Sequence, residues 1–190
     1  MSSENSNTKP THQSIVDDNY KGYLLERQPP SYGMRRNGTP GCLYLSPEGH
    51  RCGIGRNMPL AMVEKIKALG ISDRNINAIM DTSEHTYCLE AIEWFSQCNG
   101  EFLMQAQNAH DVAAIKADQA FPSDNLAPEK LEMFRRLYRD NLAALCRNWH
   151  LEWPEDRPGV RELAQAEAQA RELAAAARDT SVDVGTGKGQ

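Results

Sequence analysis

The stretch from Ser123 to Leu151 constrains this chain most. Leu131, Phe134, Tyr138, Leu142, Leu145 and Trp149 recur every three or four residues, which is one apolar stripe of an α-helix. Pro128 stands near its start, where a helix tolerates proline because the first-turn N–H has no intrahelical partner. A long helix with one apolar face must bury that face, so the chain has to supply partners for it. Leu60, Val63, Ile66 and Leu69 follow the same period, and Gly70 ends the run. The segment from Ile71 to Met80 reads as a short helix or an irregular piece. Asp81 to Glu84 reads as a capping box that opens a helix carrying Tyr87, Ala91, Trp94, Phe95 and Cys98. Asn99 and Gly100 close it. Phe102, Leu103, Ala106, Ala109, His110 and Ala113 mark a further helix, ending before Phe121 and Pro122.

The clearest strand signal lies between Cys42 and Ile54. Residues 42–46 and 50–54 read as two strands around a tight turn at Pro47-Glu48-Gly49. That register sets Ser46 opposite His50, Tyr44 opposite Cys52 and Cys42 opposite Ile54. It puts Cys42, Tyr44, Cys52 and Ile54 on one face. The expected fold is therefore α+β but predominantly helical, with five or six helices packed on a β-hairpin or small antiparallel sheet.

The chain has 190 residues, a length that suits one domain with appended tails. The N-terminus is rich in Ser, Asn and Thr, and the C-terminus in Gly and Thr, so neither end has much apolar surface to offset its ordering entropy. Residues 1–19 and 180–190 are therefore expected to be disordered tails around a globular domain at 20–154. Residues 155–179 are expected to form an Ala-rich helix, high in propensity but with little to bury. It would project, pack lightly, or pair with another copy. No apolar run reaches the roughly 18 residues of a membrane span, and no signal-peptide pattern is present. Those readings predict a cytoplasmic protein with no membrane partner. Five scattered cysteines then read as buried free thiols rather than a disulfide framework.

Net charge is −5, which argues against general nucleic-acid binding. The charge is uneven, however. Between Ser31 and Arg56 stand Arg35, Arg36, Arg51 and Arg56 against Glu48 alone, so this stretch is net basic. Arginine grips phosphate and carboxylate bidentately, and Gly53 and Gly55 would let backbone N–H groups approach an anion. Those six residues are the expected ligand-binding set, at the open end of the hairpin. The alternative is a solvated basic loop that offsets the acidic helices.

Other polar residues are of types that can carry chemistry. Cys42, His50 and Cys52 share the hairpin, but zinc sites usually present ligands two to four residues apart, and no second close pair completes a set. Cys88 or Cys52 with His85 or His110 could form a nucleophile pair, yet no cysteine-enzyme motif surrounds them. His110 and Asp111 are adjacent on a helix and should point about 100° apart, which argues against a dyad. They are read with Gln107 as structural polar residues, His110 bonding a loop carbonyl. No metal, cofactor or catalytic residue is assigned.

Two motifs stand out together. Cys42 to Gly55 has the form Cys-x-Tyr-x4-Gly-x2-Cys-x2-Gly, and Phe102 to Asp111 reads Phe-Leu-x2-Ala-Gln-x2-His-Asp. As a pair they resemble a group of small uncharacterised bacteriophage and bacterial proteins, in which leucine is usual at the position of Ala106. The resemblance covers roughly residues 40–115. It implies a phage or mobile-element origin, and it implies no functional residue. The function expected is that of a non-enzymatic accessory binding protein, acting in the host cytoplasm. It would engage a host protein, another host macromolecule or an anionic small molecule. A small thiol- or metal-dependent enzyme, and an oligomeric component that pairs through its C-terminal helix, are the alternatives.

Overall fold

A computed structural model describes residues 8–84, 87–122 and 127–182. Seven α-helices account for most of them: α1 His12–Tyr20, α2 Leu60–Ala68, α3 Ile76–Met80, α4 Leu89–Trp94, α5 Gly100–Ala120, α6 Pro128–Asn148 and α7 Pro158–Val182. No helix among the described residues is long and apolar enough to cross a membrane.

The stripe on α6 works as its spacing requires. Phe134, Tyr138, Leu142 and Leu145 are buried, and α6 packs most extensively on α5. Two side chains pin the pair. The Asn141 amide donates to the Ala109 carbonyl at 2.9 Å, and the Trp149 indole donates to the Gln105 amide oxygen at 2.9 Å. Phe134 and Tyr138 lie parallel at 5.6 Å, and Tyr23 meets both edge-on. Tyr23 belongs to a π-helical segment, Lys21–Leu25, that continues α1.

The hairpin expectation is corrected. Between Cys42 and Ile54 the backbone makes one isolated bridge, Leu45 with Arg51, beside a tight turn. Ser46 N donates to His50 O at 2.8 Å, so the register at the turn is the expected one. Beyond it the strands part. Tyr44 N donates to Ser72 O instead, and Cys52 O accepts the Arg56 N–H as the chain curls into a 3-10 turn at Gly55–Asn57. The only ladder among the described residues is two residues long, with β1 Gly33–Met34 antiparallel to β2 Pro40–Gly41. The fold is thus helical rather than helices on a sheet. The face assigned to Cys42, Tyr44, Cys52 and Ile54 is nonetheless buried.

Residues 12–19 also differ from expectation. They form α1 rather than part of a disordered tail; residues 1–7 lie outside the described residues. Thr11 and Ser14 make a reciprocal capping box, and Ile15 and Val16 are fully buried. His12 stacks on Phe102 with centroids 4.1 Å apart. Its Nε2 accepts the Asn99 N–H that precedes α5. Two aliphatic residues in the eight of 12–19 are a thin stripe, so composition suggests a tail. Tertiary contacts decide otherwise.

The helix expected to open at Asp81 begins later. Asp81 Oδ1 accepts from Ser83 N and Oγ, which closes a local turn, and α4 starts at Leu89. The α7 helix extends from Pro158 to Val182, and residues 183–190 lie outside the described residues. It packs lightly. Val160 and Ala164 touch the core, Arg171 donates to the Leu25 carbonyl at 2.7 Å, and Leu163 and Leu173 stay exposed.

Candidate functional site

The two sequence motifs meet. α5 presents His110 and Asp111 against the turn-rich segment that carries Cys42, Tyr44, Cys52 and Gly53. Cys42, His110 and Asp111 place ligand-type atoms within 4.8 Å of one another. His110 is fully buried, and its Nδ1 stands 3.1 Å from Asp111 Oδ1. The expectation that adjacent helix residues cannot pair is therefore corrected: the aspartate side chain folds back along the helix surface. Nor does His110 bond a loop carbonyl. Its Nε2 finds no hydrogen-bond partner among the described residues, and the rings of Tyr23, Phe134 and Tyr138 surround it.

Glycine is required where the segments touch. A Cβ on Gly53 would stand 3.2 Å from His110 Cβ, and one on Gly55 would stand 2.4 Å from the Tyr44 carbonyl oxygen. These two glycines, expected to cradle an anion, instead let backbone pack on helix and backbone on backbone. Gly55 N donates to Cys52 Sγ at 3.4 Å. The Tyr44 hydroxyl faces the Gln107 amide, whose oxygen accepts the Ile76 N–H at the start of α3 at 2.8 Å. Gln107 thus ties α5 to the start of α3.

The four arginines of the basic stretch do not converge on one open site. Arg56 lies over the Tyr23 ring, with its side chain only 9% exposed, and pairs with Asp18 at 3.8 Å and with Gln28. Arg51 donates to the Met58 carbonyl at 3.1 Å. Arg35 lies across Gly41, and Arg36 across Gly70 with its backbone N–H on Asp73. Arg36 remains exposed; Arg56 is a packing residue.

None of the cysteines is disulfide-bonded. Burial pushes the Cys42 thiol well up, and the Asp111 carboxylate pushes it further. Burial takes Cys52 to about 12 and Cys98 and Cys146 to about 11. It raises Cys88 as well. None is poised as a thiolate, the reactive form. His85 lies outside the described residues.

A second site had no motif to announce it. A groove of about 670 Å³ runs between α6, α7 and the π-helical segment. Leu24, Leu25, Phe121, Met133 and Ala164 supply its apolar surface. Arg27, Arg135, Arg136, Arg139 and Arg171 line it with Glu129, Glu132 and Glu155. Glu132 pairs with Arg27 and Arg135, and Glu155 with Arg139. Arg136 is exposed, and no ion pair to it is found among the described residues. The buried Nε of Arg135 has no hydrogen-bond partner among the described residues. The signal available in sequence was the arginine content of α6 and α7, spaced to reach one flank. Comparison with protein-family models, with curated proteins and with solved structures gives no match for this chain.

Proposed function

We propose that this protein is a non-enzymatic binding protein whose groove between α6 and α7 takes a small amphiphilic anion, an apolar body with a carboxylate or phosphate head. One observation carries the reading: five arginines, opposed by three glutamates, line a groove that also has an apolar floor. The volume falls in the range of small-molecule sites, and a lining with more charged than apolar side chains suits a ligand with a charged head. Arg136, exposed on the groove wall, is the donor left for a ligand head. The basic stretch at residues 31–56 is a weaker candidate, because Arg51 and Arg56 already serve internal acceptors.

Charge selectivity tests this. Titration calorimetry with decanoate and with decyltrimethylammonium compares equal tails and opposite heads. Saturable binding of decanoate alone is expected. Equal binding of both, or of neither, refutes the proposal.

A further inference from the structure

We infer that Cys42, His110 and Asp111 form a binding site for one divalent transition-metal ion of the zinc type. Sulfur, imidazole nitrogen and carboxylate oxygen are the donor classes zinc takes, and three protein ligands with one open position is a common arrangement. The geometry is close to what such an ion needs. Two ligand atoms each about 2.1 Å from a tetrahedral centre stand roughly 3.4 Å apart. His110 Nδ1 and Asp111 Oδ1 stand 3.1 Å apart, with Cys42 inside the same 4.8 Å cluster.

Charge supplies the second argument. Asp111 keeps only 15% of its side chain exposed, and among the described residues no lysine or arginine lies within ion-pair distance of it. A carboxylate shut into a protein interior needs a positive partner. The groups positioned to help are the His110 ring, itself fully buried, and the Cys42 thiol, and neither is a fixed positive charge. A cation held by all three side chains satisfies the carboxylate and removes the proton from a thiol that burial otherwise keeps neutral. Arg35 is the nearest competing positive charge on the Cys42 side. Binding proceeds with release of the Cys42 proton to solvent as the sulfur–metal bond forms, so affinity rises with pH.

The site is independent of the groove, and its test does not use the groove. Chelator-treated protein is titrated with cobalt(II), which reports thiolate ligation by a charge-transfer absorption, and then with zinc. The expected result is one cobalt per chain, with the absorption appearing in wild type and in Cys98→Ser. It should be absent from Cys42→Ser, a near-isosteric change whose folding circular dichroism checks. Addition of zinc should abolish it. Absence of the absorption from wild type, or its persistence in Cys42→Ser, overturns the inference, and wild type alone decides if the variant fails to fold.

Discussion

Around His110, polar atoms are shut away from water. Along the groove beneath α7, most charged side chains keep it, Arg135 excepted. In the first region Asn19 Oδ1, His110 Nε2 and the Tyr138 hydroxyl are buried with no hydrogen-bond partner among the described residues, and each carries the full cost of desolvation. In the second, Arg27, Arg139 and Glu132 remain more than two-fifths exposed while paired, so each pair contributes little. The difference separates what the two regions are suited to do. The interior holds its shape through aromatic packing and tolerates only groups that complete it. The groove spends little stability on its charges, and those charges stay available to a ligand.

The largest break comes from the interior. Phe134→Ala removes a ring packed against Tyr23, His110 and Tyr138, and should cost about 3–5 kcal/mol in urea unfolding. A loss near that of a surface change would mean the aromatic cluster is not the core. Tyr138→Phe is the sharper probe. It deletes a buried hydroxyl that lacks a partner, so stability should hold or rise by about 1 kcal/mol. A clear loss would mean a bound water satisfies that hydroxyl.

Asp118, on α5, belongs to a separate polar cluster with Lys130 and Tyr32. Burial acts to raise its carboxyl, but Lys130 at 2.5 Å and the Tyr32 hydroxyl at 2.7 Å hold it below the usual range. A depressed folded-state value contributes stability that is fully present above the unfolded value of about 3.9. That contribution is lost as pH falls through the lower folded value. Asp118→Asn should therefore flatten the acid limb of the stability profile and leave its upper limb parallel to wild type. An unchanged acid limb would show that the network contributes nothing. The smallest effect belongs to the groove. A double-mutant cycle on Arg27 and Glu132 should give a coupling of roughly 0.2–1 kcal/mol, and a value above 2 would mean the groove is far drier than its exposure shows.

Helices were legible wherever large apolar residues kept the period. The stripe from Leu131 to Trp149, the end of α2 before Gly70, and the apolar positions of α5 all follow from side chains acting through local geometry, whereas Asn99, expected to close the preceding helix, caps the start of α5. The errors share a different cause. A strand needs a partner for its backbone, and sequence cannot show that Tyr44 N would find Ser72 O or that Cys52 O would accept Arg56 N. α1 is illegible in the sequence because its two buried aliphatic residues gain their worth only in the assembled core, where α1 packs on α6 and the π-helical segment. The junction of the two motifs was half legible: Cys42, Gln107, His110 and Asp111 were all singled out, but only folding brings them together. The basic stretch misled, because an arginine in sequence is a charge, whereas Arg56 in the structure is a packed plane over Tyr23. The groove had no compact motif, since its arginines come from Arg27, from α6 and from α7.

The most direct test sets the groove against the basic stretch by calorimetric titration of decanoate into wild type, Arg136→Ala and Arg36→Ala. Both arginines are exposed, so neither change should alter stability by more than about 0.5 kcal/mol. The account predicts saturable binding to wild type, weakened about tenfold (roughly 1.4 kcal/mol) in Arg136→Ala and unchanged in Arg36→Ala. Binding that survives in Arg136→Ala and fails in Arg36→Ala would contradict it.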